Sequence, residues 1–256
     1  MNEPDGPSVT LRFYEELNDF LPALKRRCDF QRPLHLSPAV KDVIEAEGVP
    51  HGEVDLILVN GESVGFDHRL QPGDRVAVYP VFEALDITPL VRLRPRPLRE
   101  PRFILDVHLG TLARRLRLLG FDSLYRNDYE DAEIVRIAAE ERRIILTRDV
   151  GLLKHGAVTH GYWVRATRPD AQTEEVLERF DLWRRIEPFA RCTICNGPVA
   201  QVEKAHILHR LQPGTAAGYD VFYQCGHCGR IYWEGAHYDS LRANVARWLK
   251  RPEEPR

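Results

Sequence analysis

Three aspartates between residues 103 and 149 have the spacing of a metal-dependent hydrolytic site. Asp106 and Asp149 each end an apolar run, and Asp131 begins the helical stretch between them. Because apolar runs of this kind predict buried parallel strands, we expect both strand ends to bring a carboxylate to the same edge of one sheet. That edge is where open α/β sheets hold their active sites.

Carboxylates gathered at one point repel one another, so such a site needs a counter-charge. At a separation of about 5 Å and an effective dielectric constant near 20, each ionised pair costs roughly 3 kcal/mol. A shared proton or hard divalent cation offsets this cost, and ligation by oxygens alone favours Mg²⁺ or Mn²⁺. Such a metal activates water and binds phosphate oxygens, which is the chemistry of phosphodiester hydrolysis. We therefore predict that Asp106, Asp131 and Asp149 are catalytic metal ligands.

These acids also have structural alternatives. Asp106 could cap the helix predicted to begin near Leu109, and an aspartate just before a helix, as at Asp131, is the commonest N-cap. Asp149 stands at a strand end as Asp106 does, so the same reasoning applies to it. The identity of a fourth oxygen ligand stays open, because spacing does not choose among Asp122, Asp128, Glu130, Glu133 and Asp170.

Two Cys-x-x-Cys pairs near the C-terminus predict one structural Zn²⁺ site of the four-cysteine type. The alternative is a redox pair in each motif, which would need an activating helix start that neither sequence shows. A unit of about 65 residues is small for a self-sufficient core, and zinc can add roughly 10 to 16 kcal/mol to its folding. The predicted ligands are Cys192, Cys195, Cys225 and Cys228.

Six basic or aromatic residues are candidates for contact with a nucleic-acid substrate. Two arginines lie on the helix after Asp106 and are predicted to point away from its apolar stripe, and a third directly precedes Asp149. The other three follow the second cysteine pair, in a segment richer in aromatic residues than packing alone requires. Arginine suits bidentate phosphate contact and aromatic rings stack on bases; a solvated helix face and ribbon packing are the alternatives. The candidates are Arg114, Arg117, Arg148, Tyr232, Trp233 and His237.

Hydrophobic periodicity divides the chain of 256 residues into three structured segments and a linker. Residues 1–85 follow the order ββαββ, which is the pattern of a β-grasp domain. Residues 86–101 interleave prolines with arginines, which predicts an extended linker; contact of this basic arm with a nucleic-acid backbone is the alternative. Residues 102–187 alternate strands and helices as a doubly wound parallel sheet does, and residues 188–256 hold the cysteine pairs.

The first segment resembles the ubiquitin-like sulfur carriers of molybdopterin and thiamine synthesis. The resemblance rests on Val-Asn-Gly-Glu at 59–62 and Leu-Gln-Pro-Gly-Asp-Arg-Val-Ala-Val-Tyr-Pro at 70–80. Those carriers act through a free terminal Gly-Gly pair, and no such pair follows Pro80 here. The resemblance implies the fold and argues against the carrier activity. We predict that the helix of this segment begins at Ser37-Pro38, with proline in its first turn.

Composition describes ordinary folded domains. The hydrophobic content is 43% and the mean hydropathy is -0.38. The sequence lacks an apolar run approaching 18 residues and an N-terminal signal peptide, so we expect a cytoplasmic protein without a membrane partner. Residues 1–100 carry 12 basic against 17 acidic side chains, whereas residues 101–256 carry 24 against 21. The positive surplus favours a phosphate-bearing partner weakly.

Residues 103–238 resemble the Mut-seven C-terminal ribonuclease family, a branch of the PIN-like nucleases with an attached zinc ribbon. The resemblance implies a PIN-like α/β fold, a divalent-metal-dependent activity on RNA, and metal-binding positions at Asp106, Asp131 and Asp149. Members with a ubiquitin-like extension ahead of the nuclease resemble this chain along nearly its whole length. Ala236 stands where a serine is frequent in the family. The matching motifs are Phe-Ile-Leu-Asp at 103–106, the run 109–122, Ile-Leu-Thr-Arg-Asp at 145–149, 191–196, 225–233 and Gly-Ala-His at 235–237.

The sequence therefore predicts a PIN-like doubly wound parallel sheet, preceded by a ubiquitin-like β-grasp domain and followed by a zinc ribbon. The predicted function is hydrolysis of RNA, expected to be single-stranded, by a ribonuclease that uses Mg²⁺ or Mn²⁺. Two alternatives stay open. The protein could be a non-catalytic RNA-binding module whose acids serve as helix caps, or an adaptor that binds a protein partner through its acidic β-grasp domain.

Overall fold

A computed structural model describes residues 6–34, 36–80 and 101–249, except the side chains of Ala236 and His237. The linker predicted for residues 86–101 lies outside the described residues apart from Pro101. The chain forms two compact units. One holds the described residues before Pro101 together with Glu130–Trp163, and the other holds Pro101–Tyr129 and the described residues from Val164 onward.

The N-terminal segment is a β-grasp-like mixed sheet with one helix, as predicted. The strand order is β2-β1-β5-β3-β4, in which the central strands β1 and β5 run parallel and the other neighbours antiparallel. A two-residue strand, β4, was not predicted from the sequence. The elements are β1 (Ser8–Phe13), β2 (Phe30–Pro33), α1 (Val40–Ala46), β3 (Val54–Val59), β4 (Glu62–Ser63) and β5 (Arg75–Pro80).

Alternation along β1 builds the core of this segment, because every second side chain faces α1. Val9, Leu11 and Phe13 are at most 1% exposed. The helix begins three residues later than its predicted start at Ser37. Ala39, just before the helix, is extended and pairs with Arg69, and the Ser37 hydroxyl donates to the carbonyl oxygen of Leu70 at 2.8 Å.

The segment predicted as a doubly wound sheet, residues 102–187, contains the parallel α/β sheet that the sequence predicts. In one compact unit β6 pairs in parallel with β7, and in the other β8 pairs in parallel with β9. All residues of β6 and β8 are buried, as expected of strands covered on both faces. The elements are β6 (Phe103–Leu105), α2 (Gly110–Leu118), β7 (Ser123–Leu124), α3 (Asp131–Glu141), β8 (Ile144–Thr147), α4 (Val150–Leu153), β9 (Gly161–Trp163) and α5 (Pro169–Arg179).

The C-terminal segment is a small antiparallel sheet in the order β10-β11-β12, with a four-cysteine cluster. This is the zinc-ribbon-like arrangement predicted from the sequence. No helix among the described residues is long and apolar enough to cross a membrane. The elements are β10 (Val199–Val202), α6 (Lys204–Ile207), α7 (Pro213–Gly218), β11 (Phe222–Cys225), β12 (Ile231–Tyr232) and α8 (Ala236–Leu249).

Candidate functional site

Asp106 lies where β6 ends and is almost excluded from solvent, with 5% of its surface exposed. Its carbonyl oxygen accepts a hydrogen bond from the Leu109 backbone N–H at 2.9 Å, which closes a 3-10 turn before α2. Its side chain makes no capping hydrogen bond to that turn. Capping therefore does not explain this buried carboxyl group. An ionisable group in such a place is unfavourable unless partners or a cation compensate it.

Tyr125 holds the turn that follows Asp106. Its hydroxyl donates to the carbonyl oxygen of Val107 at 3.0 Å. The ring passes so close to the start of α2 that a Cβ at Gly110 would lie 2.6 Å from the phenolic oxygen. A side chain at residue 110 would therefore displace the Tyr125 ring. Sequence reasoning missed this contact, because nothing in the spacing of the residues links Tyr125 to the loop.

Asp149 lies at the other strand end, just before α4, and is exposed. Its Oδ1 accepts the Gly151 backbone N–H at 2.7 Å, so the side chain caps α4. The Asp149 backbone N–H donates to Oγ1 of the buried Thr147 at 2.9 Å. Both contacts fix the direction of the carboxyl group, and the cap occupies one of its two oxygens.

Asp131 is the first residue of α3 and is exposed, while Glu130 holds the N-cap position. The structural alternative considered for Asp131, the N-cap position, is thus held by Glu130 instead. The Glu130 carbonyl oxygen accepts from the backbone N–H groups of Glu133 and Ile134 at 2.9 and 3.0 Å. A carboxylate in the first turn interacts favourably with the helix dipole. Asp131 and Asp149 belong to one compact unit and Asp106 to the other, so their convergence on one ion stays a prediction.

The structure brings the four predicted cysteines together. One thiol sulfur from each lies within 4.8 Å of all the others. The Sγ atoms of Cys192 and Cys228 are 3.7 Å apart and those of Cys195 and Cys225 are 3.4 Å apart. A tetrahedral zinc ion with Zn–S bonds of about 2.3 Å would place its sulfurs about 3.8 Å apart. The cluster could therefore hold Zn²⁺.

Backbone N–H groups point at the sulfurs, as negative thiolates require. The N–H of Cys195 approaches Cys192 Sγ at 3.5 Å, and those of His227 and Cys228 approach Cys225 Sγ at 3.4 and 3.5 Å. Although burial opposes it, hydrogen bonds from the Tyr232 hydroxyl and backbone amides lower the pKa of Cys192 to about 6. Burial raises the pKa of Cys195 to about 12, so zinc must displace a proton there.

Asn196, which follows the first cysteine pair, joins the ribbon to the nuclease segment. It adopts a left-handed backbone, with φ of 68°. Its Oδ1 accepts the buried Ser123 backbone N–H at 2.9 Å, and its Nδ2 donates to Asp122 Oδ1 at 2.7 Å. Asp122 also pairs with Arg191 at 3.5 Å. Asp122, one of the candidates for a fourth acidic metal ligand, therefore has a structural role in this contact.

The sequence predicts an exposed Arg117, as solvated surface or as a phosphate contact, but the structure buries this side chain. Arg117 is 3% exposed. Its Nε donates to the carbonyl oxygen of Ser123 and its Nη1 to that of Ile194, each at 2.8 Å. Burial lowers the pKa of the guanidinium, which still carries its charge. We therefore assign Arg117 a structural role between β7 and the ribbon, and omit it from the proposed RNA contacts.

The other predicted contact residues differ in accessibility. Arg114, one helical turn before Arg117, is exposed, and Arg148 is half-buried. Trp233 is 38% exposed, and its ring lies 6.5 Å from that of Tyr219. The side chain of His237 lies outside the described residues.

Tyr232 has a structural partner. Its hydroxyl lies 2.9 Å from Cys192 Sγ, and burial followed by this hydrogen bond raises its pKa. Tyr232, one of the predicted RNA contacts, therefore has a role in supporting the cysteine cluster.

Comparison with protein families supplies the deciding observation. Residues 101–245 match the model of the Mut7-C RNAse domain, and residues 6–86 match the Mut7-C ubiquitin model. The chain belongs to the Mut7-C RNAse domain family. The Mut7-C match spans β6 to α8, and with it the three predicted acids and all four cysteines.

Two solved structures are similar to the N-terminal segment of this Mut7-C protein. One is the small archaeal modifier protein 1 of Haloferax volcanii, with 17% identity over 30% of this chain and 100% of that chain, at a TM-score of 0.25. The other is SAMP1 from Haloferax volcanii, with 17% identity over 30% of this chain and 99% of that chain, at a TM-score of 0.24. No curated protein gives a significant match.

Proposed function

We propose that this Mut7-C protein is a divalent-metal-dependent ribonuclease that hydrolyses RNA phosphodiester bonds at Asp106, Asp131 and Asp149. The observation that carries the proposal is membership of an RNAse domain family by a chain that buries a carboxyl group at the end of β6. The family supplies the reaction class. The buried Asp106 supplies a carboxyl group at a strand end, and a carboxylate oxygen is the kind of ligand that Mg²⁺ and Mn²⁺ prefer.

The role proposed for each residue takes account of its exposure to solvent. Asp106 and Asp149 would hold Mg²⁺ or Mn²⁺, and Asp131 would complete the ligand set or orient the attacking water. Arg114 and Arg148 would bind phosphate oxygens of single-stranded RNA, and the exposed face of Trp233 would stack on a base. The four cysteines would hold a structural zinc ion without taking part in the reaction.

Cleavage of a labelled single-stranded RNA in the presence of Mn²⁺ tests the proposal. Asp106→Asn and Asp149→Asn should each lower the rate by at least the roughly 10- to 100-fold that loss of a group supporting a metal ligand causes, since each replaces a charged ligand by a neutral amide. Asparagine is as good an N-cap as aspartate, so Asp149→Asn should leave α4 folded.

Glu140→Gln is the matched control for these variants. Glu140 lies in the last turn of α3, is exposed, and pairs with Arg136 four residues before it. Its rate should stay within about twofold of the wild type, since surface substitutions of this kind have small effects. Full activity in folded Asp106→Asn and Asp149→Asn would remove the acids from the mechanism. Binding of RNA without cleavage, and without need of Mn²⁺, would favour the non-catalytic module.

A further inference from the structure

The β-grasp segment packs against the α4–β9 segment of its own chain. His51, in the turn before β3, is 5% exposed, and its Nε2 lies 2.7 Å from the carbonyl oxygen of Val158. Because a carbonyl oxygen only accepts hydrogen bonds, Nε2 is the donor. Its Nδ1 lies 2.5 Å from Glu45 Oε1. Both ring nitrogens are therefore used, one within the β-grasp segment and one across to the α4–β9 loop.

Gly52 marks the closest approach of the two surfaces. A Cβ there would lie 3.0 Å from Cγ1 of Val158, 3.6 Å from the backbone nitrogen of Gly161 and 3.7 Å from the carbonyl oxygen of Leu153. All three atoms belong to the α4–β9 segment, and none to the β-grasp core. A larger side chain at Gly52 would therefore push on the contact between the segments without disturbing the β-grasp interior.

Glu53 covers the free edge of β9. Its carboxylate, 1% exposed, accepts the Trp163 backbone N–H. Within the described residues β9 is the last strand of its sheet, so this N–H would otherwise be an open edge donor. The ring of Phe20 lies 5.2 Å from the Trp163 ring. Trp163 is thus held by its backbone and by its ring, in both cases by residues of the β-grasp segment.

Trp163 in turn holds the loop that carries a predicted metal ligand. Its indole Nε1–H donates to the carbonyl oxygen of Arg148 at 3.3 Å. Arg148 directly precedes Asp149, whose Oδ1 is fixed by the cap on α4. A continuous set of contacts therefore runs from Glu53 through Trp163 to the Asp149 loop.

We propose that the β-grasp domain acts on its own nuclease segment, as a support that positions Asp149 for metal binding through Glu53 and Trp163. The inference rests on the proposed function and deepens it. Glu53 and Trp163 are positioning residues, because neither is placed at the reacting atoms. Supporting groups of this kind typically change metal affinity by about 10- to 100-fold when removed.

The test introduces a bulky side chain at Gly52, in the protein that carries all of its segments. Gly52→Leu is compared with Gly156→Leu, a control in the α4–β9 loop where a Cβ would meet nothing within 4 Å. Three quantities are measured: hydrogen exchange of the Trp163 backbone amide, Mn²⁺ affinity by calorimetry, and the rate of RNA cleavage. We expect Gly52→Leu to speed the exchange and weaken Mn²⁺ binding by about tenfold, with slower cleavage, and the control to match the wild type.

A second variant separates positioning from folding. Trp163→Phe keeps an aromatic ring against Phe20 but removes the indole N–H, so Mn²⁺ binding should weaken while exchange at β9 stays slow. Faster exchange in Gly52→Leu with wild-type Mn²⁺ affinity in both variants would overturn the positioning role. Unchanged exchange would overturn the contact itself. A wild type that neither binds Mn²⁺ nor cleaves RNA would instead refute the proposed function, and the positioning role with it.

Discussion

At the scale of single residues, two arginines one helical turn apart have opposite surroundings. Arg114 is exposed, whereas the Arg117 guanidinium is buried among backbone carbonyl oxygens of Ser123, Thr193 and Ile194. Charged donors to buried carbonyl groups contribute more than neutral ones, and removing the donor leaves those oxygens without a partner. Arg117 therefore stabilises the join between α2, β7 and the ribbon.

Replacement of these two arginines should separate stability from substrate binding. Arg117→Ala should lower the free energy of unfolding by about 2–4 kcal/mol, because it leaves buried carbonyl groups unsatisfied. Arg114→Ala should change it by less than about 0.5 kcal/mol but weaken RNA binding. Urea denaturation and RNA binding at fixed salt measure the two effects. Equal stability of the two variants would contradict the structural assignment of Arg117.

The sequence could not distinguish these arginines. Helical periodicity places both off the apolar stripe of α2, and two of the carbonyl groups that bind Arg117, those of Thr193 and Ile194, come from the ribbon more than 70 residues later. The same limit applies to Tyr232, whose sulfur partner lies 40 residues earlier. The four cysteines were predictable, because zinc ligation demands a local spacing that is visible in the chain.

At the scale of elements, the end of α2 depends on a glycine. Gly120 has φ of +97°, and a Cβ there would lie 2.4 Å from the carbonyl oxygen of Glu187. The segment that leads into the ribbon crosses this point, where the Glu187 and Phe189 N–H groups donate to the carbonyl oxygens of Leu119 and Leu118 at 3.0 and 2.9 Å. A side chain at residue 120 would force the two segments apart.

Gly120→Ala should therefore destabilise the protein by about 2–4 kcal/mol, through its backbone conformation and the collision with Glu187. Gly214→Ala is the control, because Gly214 lies in α7 with nothing within 4 Å of a Cβ and no left-handed φ. Alanine should be neutral or slightly stabilising there. Thermal unfolding followed by circular dichroism compares them, and a Gly120→Ala protein as stable as the wild type would refute the close approach.

Most elements followed from local pattern, and the exceptions have long-range causes. Periodicity predicted the buried runs of β6 and β8 and the apolar stripe of α2. It did not show which elements they pack against. The start of α1 was predicted too early at Ser37, because the Pro38 carbonyl oxygen, which an earlier helical turn would need, accepts from the Leu70 backbone N–H at 3.0 Å instead. The strand β4 is only two residues long and pairs beyond a tight turn, so it carries too little pattern to be recognised.

At the scale of the whole molecule, the cysteine cluster is connected to the strand that ends at Asp106. Asn196 holds the backbone of Ser123 in β7, and β7 pairs with β6. Loss of zinc should therefore affect more than the ribbon. This connection could not be read from the sequence, in which the ribbon is a separate C-terminal segment.

Chelation of zinc tests this connection. The protein should contain about one zinc per chain, and its removal should unfold the ribbon, since such sites contribute roughly 10–16 kcal/mol to folding in isolated fingers. Hydrogen exchange at the Ser123 amide should then become faster. The Tyr14 amide, which donates to the Val78 carbonyl oxygen at 3.0 Å within the β-grasp segment, serves as the control. Slow exchange at Ser123 without zinc would show that β7 is independent of the ribbon.

The interleaving of the compact units has a practical consequence for protein engineering. The polypeptide passes from one unit to the other near residues 101, 130 and 164, so a cut at any single peptide bond leaves at least one unit incomplete. A fragment cut between residues 101 and 164 would expose surfaces that the uncut chain buries within its compact units. Fusion partners are therefore best kept out of the stretch between residues 101 and 164.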